Sequence, residues 1–362
     1  MIPFLDFNKQ YNSIHNEVNE AIQRVLTSQF FILGPETEAF EKELAEYLGV
    51  KYVVSVNSGT DALIFALRIL DIGPGDEVIT PANSFIATAL AITEVGATPI
   101  FVDIDPETYE LNVNQLEEKI TKKTKALIPV HLYGLVANMD KISKLAQTHK
   151  LFIVEDACQA IGSSYKNKKA GTWGDIGTFS FYPGKNLGAY GDGGAMCTND
   201  TNLYEKMKMI RNYGQKTKYH HVSIGVNSRL DEIQAAILRV KLKYLDSWNR
   251  ERNKIAEDYK IALKGVKMQT IPEGYYSNYH LFVIEHDNRD EIRKNLEILG
   301  IQTLIHYPIP IHLQECYKYL GYKDGDFPAV ENSSKRLLSL PMYPELGIGS
   351  VKKISSCINQ IL

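Results

Sequence analysis

From about residue 52 onward, short apolar runs alternate with stretches whose apolar residues recur three and four apart. That alternation is the pattern of parallel β/α units. YVVSVN (52–57), EVIT (77–80), TPIFVDI (98–104), KALIPV (125–130) and LFIVED (151–156) predict buried strands. DALIFALRIL (61–70) and NMDKISKLAQTHK (138–150) predict amphipathic helices between them. Gly73-Pro74-Gly75 and Gly96 are loop signals. GTFSFYP (177–183) and GGAMCTN (193–199) predict two further strands around a glycine-rich turn.

From Arg229 to about Leu263 the pattern is helical, with alternating charges, and predicts a long helix leading out of a large domain. Beyond it, YHLFVIE (279–285), the helical NRDEIRKNLEILG (288–300) and IQTLIHY (301–307) predict a small α+β domain. The opening 30 residues predict a helix and an arm packed on this second domain. The expected division is residues 1–245 for the large α/β domain and 246–362 for the small one. A chain of 362 residues is long enough for both.

Composition narrows the function. With 44% hydrophobic and 23% charged residues the balance is that of a soluble globular protein. A net charge of −3 gives no basic footprint for nucleic acid. No run of about 18 apolar residues predicts a membrane span. Asp6 falls where a signal peptide needs an apolar core, so a cytoplasmic protein is expected. Cys158, Cys197, Cys316 and Cys357 are far apart and form no CxxC pair, so neither a disulfide framework nor a metal site is expected.

Three places carry candidate chemistry. LFIVED ends in Glu155-Asp156, and ligands of open α/β sheets sit beyond the carboxyl ends of strands. Asp156 there is either a helix cap or a carboxylate able to keep a ring nitrogen protonated. Lys185 lies in SFYPGKNLGAYGDGG (180–194), between a strand and a run of glycines, with Tyr182 and Tyr190 close by. Most lysines are solvated surface charges. A desolvated one has a lowered pKa and can form a Schiff base and move a proton. A phosphate-binding G-x-x-x-x-G-K-[ST] loop is excluded, because Asn186 follows the lysine. In VNSGTDAL (56–63), Ser58-Gly59-Thr60 opens a helix, as a simple cap or as an anion site. Ser180 offers a second hydroxyl for the same anion. Phe85, in PANSFIAT (81–88), is either a core residue or a platform for a planar ring.

An acidic strand end, a glycine-flanked lysine and a Ser-Gly-Thr helix start, in this arrangement, resemble the pyridoxal-phosphate enzymes of the aspartate-aminotransferase fold (fold type I). More narrowly, the chain resembles the sugar aminotransferases of the DegT/DnrJ/EryC1/StrS family over essentially its whole length. FFILGPETEAFEKELAEYLG, SVNSGTDAL, EVITPANSFIATA, VEDACQAIG, FSFYPGKNLGAYGDGGA and GVNSRLDEIQAAIL all fall where that family has its motifs. The resemblance implies that Lys185 binds pyridoxal 5'-phosphate as a Schiff base and is the acid/base of the proton shift. It implies that Asp156 pairs with the ring nitrogen and that Gln159 lies near the phenolic oxygen. Gly59, Thr60 and Ser180 are implied to hold the phosphate, and Phe85 to cover the ring. Asn227 is implied to reach the phosphate of the neighbouring subunit, giving a homodimer with shared sites. Arg229, His306 and Tyr307, the last two in LIHYPIPIH (304–312), are candidates for the sugar-nucleotide's phosphates. Two plainer readings stand beside these: Arg229 paired with Asp231 or Glu232, and His306 as a satisfied core histidine.

The resemblance also suggests L-glutamate as amino donor and a nucleotide-linked keto-sugar as acceptor. Relatives acting at carbon 4 commonly carry His where this chain has Tyr182, and often where it has Gln159. The run Tyr-Pro-Gly-Lys-Asn-Leu-Gly therefore implies carbon 3, with a dTDP-linked 3-keto-6-deoxyhexose first and a UDP-linked 3-keto uronate or N-acetyl sugar second. Cys158 departs from the family's usual Ala. A sugar dehydratase is disfavoured by the intact Lys185 and the lack of clustered cysteines. A sugar-nucleotide-sensing regulator on the same scaffold is disfavoured by the intact Lys185–Asp156 pair.

Overall fold

The computed structural model describes all 362 residues. Its centre is a seven-stranded sheet. Across the sheet the strands run Tyr52–Val56, Gly194–Thr198, Ile176–Ser180, Phe152–Asp156, Thr124–Leu127, Glu77–Pro81 and Thr98–Val102. All are parallel except Gly194–Thr198, which is antiparallel to both neighbours. The apolar runs follow from burial on both faces, which parallel sheets require. Successive side chains point to opposite faces. Val53, Ile79, Leu127 and Ile153 accordingly enter one core, and Val54, Val78, Ala126 and Val154 the other.

Most expected elements form, with trimmed ends. TPIFVDI is strand only over Thr98–Val102, and KALIPV over Thr124–Leu127. The two helices between strands span Gly59–Ile69 and Met139–His149. The long helix expected from Arg229 to Leu263 is two helices, Glu232–Leu242 and Leu245–Ala262. They are separated by a turn in which the Tyr244 amide bonds the Lys241 carbonyl at 3.0 Å. Leu245 still packs in the core of the large sheet, whereas Ile255, Ala256 and Tyr259 belong to the next core.

That core covers a three-stranded antiparallel sheet of Lys267–Met268, Phe282–Glu285 and Leu337–Leu340, with helices Arg289–Ile298 and Gly347–Ile361 against it. IQTLIHY is not a strand of this sheet. It makes only isolated bridges, Ile301 to Ile2 and Leu304 to Ser339. The N-terminal expectation divides. The arm does lie on the small domain, through Ile2 N–Gly300 O at 2.8 Å and Gln302 N–Ile2 O at 3.0 Å. Helix Phe7–Ser28 instead buries Ile14, Val18, Ala21 and Val25 against Ala236, Ile237 and Val240 of helix Glu232–Leu242. Its apolar stripe finds the matching stripe on that helix. No helix is long and apolar enough to cross a membrane.

Candidate active site

Strands Tyr52–Val56, Glu77–Pro81, Phe152–Asp156 and Ile176–Ser180 are mutually parallel, so their carboxyl ends share one edge of the sheet. The segments that follow them carry the residues singled out in the sequence, at the place where α/β folds bind ligands.

Asp156 closes its strand and is 6% exposed. One carboxylate oxygen accepts from Thr88 Oγ1 at 2.7 Å and the other from the Cys158 amide at 3.2 Å. Thr88 Oγ1 also lies 2.7 Å from Ser84 Oγ. Its single proton goes to Asp156, so Ser84 is the donor of that second bond. Asp156 is thus aimed by a two-hydroxyl relay rather than spent on a helix cap. Glu155, its chain neighbour, faces the other way. It accepts from the Gly171 and Gly174 amides at 2.8 and 2.7 Å and lies 2.8 Å from His131 Nε2. The Ala137 amide donates to His131 Nδ1, so Nε2 carries the proton toward Glu155.

Lys185 sits in a closed turn, with its amide on Tyr182 O and the Ala189 amide on Phe181 O, each at 2.8 Å. Burial lowers the pKa of its amine, and the nearby Asp156 carboxylate opposes that shift. A lowered pKa leaves more of the amine unprotonated and nucleophilic. The reverse holds for Cys158, whose thiol is pushed up by burial and by Asp156 and so stays protonated.

The Ser58 hydroxyl does cap its helix, accepting from Asp61 N at 3.0 Å. The cap leaves the amides of Gly59 and Thr60, which have no intrahelical carbonyl to meet. A Cβ on Gly59 would lie 2.7 Å from Ser180 Cβ and 2.9 Å from Cys158 Sγ. Only glycine allows this close approach, which puts the helix start beside Ser180, an arrangement able to receive an anion. Gln159 is buried, its oxygen held by the Tyr133 amide at 2.8 Å and its nitrogen 3.2 Å from Tyr307 OH. The Phe85 and Tyr307 ring centroids are 6.0 Å apart, and Phe85 is exposed. His306 lies beside them, with Nδ1 2.8 Å from Ser339 Oγ. Burial, with Lys185 adding to it, lowers the His306 pKa to about 4. At neutral pH it offers an anion a hydrogen bond and not a charge.

Two of the expected residues are not brought to this cluster by their own chain. Asn227 is exposed and bridges Asn212 through its backbone. Ser228 ties this segment down, accepting from Asn57 N at 3.0 Å and donating to Asp61 at 2.6 Å. Arg229 pairs with neither Asp231 nor Glu232. Its Nη1 donates to Asn212 Oδ1 at 3.1 Å, its guanidinium lies over the Tyr213 ring, and Nε has no partner. Glu232 is engaged elsewhere, receiving the amides of Gly34, Glu36 and Thr37 at the start of helix Pro35–Leu48. Tyr182 stands exposed at the mouth of the Lys185 turn.

Several supporting residues escape sequence reading. Thr88, the last residue of PANSFIAT, is one. Tyr133 is another: buried with φ +58°, it gives its amide to Gln159 and its hydroxyl to the His306 carbonyl. Asn186 is a third, 4% exposed, with its amide nitrogen on Asn249 Oδ1 at 2.8 Å and on Asn278 O at 3.1 Å. Its oxygen lies 3.0 Å from His280 Nδ1 and must therefore accept, which makes Nδ1 the protonated nitrogen of His280. No local pattern marks these residues, since the contact that ties each to the site runs to a chain segment 26 or more positions away.

A mostly parallel sheet with one antiparallel strand, a smaller C-terminal α+β unit, a buried Asp at a strand end and a desolvated Lys on the neighbouring turn define a pyridoxal-phosphate enzyme of the aspartate-aminotransferase fold. The Gly59 cradle fits that cofactor's phosphate and Asp156 fits its ring nitrogen. Residues 12–359 match the DegT/DnrJ/EryC1/StrS aminotransferase family, and the chain belongs to it. It is similar to the dTDP-3-amino-3,4,6-trideoxy-α-D-glucose transaminase of Streptomyces venezuelae, at 46% identity over 95% of this chain and 92% of the other. It is 44% identical, over 100% and 98% of the two chains, to the UDP-N-acetyl-3-dehydro-α-D-glucosamine 3-aminotransferase of Acidithiobacillus ferrooxidans. The crystal structure of S. venezuelae DesV in complex with a ketimine intermediate superposes with a TM-score of 0.97, at 44% identity over 99% of this chain and 98% of that one. The protein is a pyridoxal-phosphate-dependent aminotransferase of this family.

Proposed function

We propose that this enzyme moves an amino group from L-glutamate to carbon 3 of a dTDP-linked 3-keto-6-deoxyhexose, working in the cytoplasm as a homodimer with shared sites. The observation that carries the reading is the convergence of Asp156, Lys185 and the Gly59–Ser180 cradle on one sheet edge. Bound there, the cofactor supplies an electron sink for a carbanion next to nitrogen. Asp156, held as an anion acceptor by Thr88 and Cys158 N, keeps a proton on the ring nitrogen. The Gly59 and Thr60 amides and the Ser180 hydroxyl take the phosphate, and Asn227 of each subunit completes the cradle of the other. Phe85 and Tyr307 cover the ring and exclude water. Lys185 Nζ, once free, would take the proton from the donor's α-carbon and pass it to the cofactor's exocyclic carbon in the same half-reaction, and in the second half would carry a proton the opposite way, to carbon 3 of the sugar. A positioned acid/base of this kind typically contributes on the order of 10²–10⁴-fold.

Arg229, which lies outside its own chain's cluster, would supply charge for the sugar-nucleotide's diphosphate from the neighbouring subunit, and His306 and Tyr307 add hydrogen bonds. Tyr182 and Gln159 support carbon 3, as do the carbon-3 substrates named for both relatives above. The second of those names favours one alternative, a UDP-linked 3-keto sugar. The deciding experiment gives the purified enzyme glutamate and a panel of dTDP- and UDP-linked 3-keto and 4-keto sugars. NMR of the product should place the new amine on carbon 3 of a dTDP-sugar. An amine on carbon 4 overturns the regiochemistry, a UDP preference overturns the nucleotide, and no turnover on any of them leaves the sensing role.

A further inference from the structure

Lys241 is 1% exposed, yet no carboxylate lies within ion-pairing distance of it. Burial brings its pKa down to about 7, with Glu345 the one charge opposing the shift. A buried ammonium without a counter-ion is costly, and an apolar side chain of the same volume would fill the space without that cost. What Lys241 does reach is the turn that carries Lys185. Its Nζ donates to Gly188 O at 2.7 Å and lies 4.1 Å from the centroid of the Tyr190 ring. The turn is closed so tightly at Gly188 that an added Cβ would lie 2.2 Å from Pro183 O, and only glycine fits there. The same helix, Glu232–Leu242, grips the turn a second time: Gln234 Oε1 accepts from Tyr190 N at 2.8 Å. The helix is itself fixed, since Glu232 receives three amides from helix Pro35–Leu48 and its segment.

We propose that Lys241 is a positioning residue for Lys185, fixing through the Gly188 carbonyl the point from which the Lys185 amine addresses the cofactor. The inference rests on Lys185 carrying the cofactor, as read above. The contacts of Lys241 Nζ, the Gly188 carbonyl and the Tyr190 ring, both belong to the turn itself. It acts by holding the closed Tyr182–Ala189 turn against a rigid helix, so that the amine returns to one place after each half-reaction.

The test begins with borohydride reduction of the wild-type holoenzyme and mapping of the labelled peptide. A label away from Lys185 overturns the reading on which this inference stands, and the inference with it. With the label on Lys185, three measurements follow on holoenzyme of Lys241→Met and Lys241→Arg: the visible-absorbance pH titration of the Lys185–cofactor linkage, kcat and KM for glutamate, and the melting temperature. In Lys241→Met the linkage pKa should move by about half a unit or more, a sign of altered geometry or solvation at the amine. Its kcat should fall by about 10- to 100-fold, the scale expected for a misplaced catalytic group, with KM nearly unchanged. Lys241→Arg, which keeps a charged donor, should recover most of both. A folded Met variant with wild-type titration and kcat overturns the proposal whatever its melting temperature. Failure of both variants to fold assigns Lys241 to stability alone and equally overturns it.

Discussion

Thr88 and His306 show how single residues gain their roles from neighbours the sequence does not place beside them. Thr88 gives its only proton to Asp156 at 2.7 Å, fully buried, so the bond is charge-assisted and shielded from water. A hydrogen bond to a charged group is worth about 1.5–3 kcal/mol, so Thr88→Val should lower kcat by roughly 10- to 100-fold with little change in phosphate affinity. Asp156→Asn should do far more, because it removes the charge that keeps the ring nitrogen protonated. Steady-state kinetics of both variants, with cofactor affinity measured separately, provide the check; a near-normal Asn variant would reduce Asp156 to a structural role. His306 carries a pH prediction. Its pKa falls from an ordinary value near 6.5 to about 4 in the fold. Between those values the unfolded chain binds a proton that the native state does not, so this group's stability contribution is present above pH 6.5 and lost as pH falls toward 4. His306→Phe should flatten that part of the stability–pH curve, seen as a smaller drop in urea midpoint than wild type between pH 6.5 and 4. An unchanged difference across that window would mean His306 is solvated.

At the scale of elements, the two-residue period of a strand decides which of two adjacent acids serves the site. Asp156 faces Thr88 and the cradle, whereas Glu155 faces the 171–174 loop and His131. The motif Glu-Asp is visible in the sequence, but which acid points where requires the sheet and what covers each face. The Ser58-Gly59-Thr60 helix start shows the same division. A cap and an anion site are legible alternatives, and the two are compatible: Ser58 caps its helix through Asp61 N, which leaves the Gly59 and Thr60 amides without an intrahelical carbonyl. Gly59→Ala should force its methyl into Ser180 and Cys158. Overpacking of this kind typically costs about 1–3 kcal/mol. The variant should melt earlier and hold the cofactor phosphate many-fold more weakly, as measured by equilibrium dialysis of the cofactor. Normal affinity there would move the phosphate away from the helix start.

For the molecule as a whole, the exposed Asn227 is the residue that its own chain leaves unused. In the two-fold dimer proposed above, the commonest kind of symmetric assembly, it completes the partner's cradle. Lys185→Ala and Asn227→Asp homodimers should each be inactive or nearly so. Refolded together in equal amounts, about half the dimers should be mixed, each with one doubly damaged and one intact site. Activity should return to roughly a quarter of wild type by that reassortment. If mass measurement finds mixed dimers and no activity returns, Asn227 acts within its own chain and the shared site is refuted.

Hydrophobic periodicity by itself determined the buried strands Tyr52–Val56, Glu77–Pro81, Thr98–Val102, Thr124–Leu127 and Phe152–Asp156, and the helices between them, because a sheet covered on both faces needs continuous apolar runs. Local chemistry determined the candidates Asp156, Lys185 and Ser58-Gly59-Thr60, because strand ends and helix starts are where backbone polarity is left over. Periodicity did not see the turn between Leu242 and Leu245, since helical spacing of apolar residues continues through it. Nor did it see that IQTLIHY stays out of the small sheet, whose third strand, Leu337–Leu340, comes from much later in the chain. Long-range pairing decided the rest: the Thr88–Asp156 relay, the Tyr133–Gln159 contact, the Asn186 network and the buried Lys241 on the Lys185 turn. A residue's pKa and aim depend on what lies across space from it, and that is set only when the chain has folded.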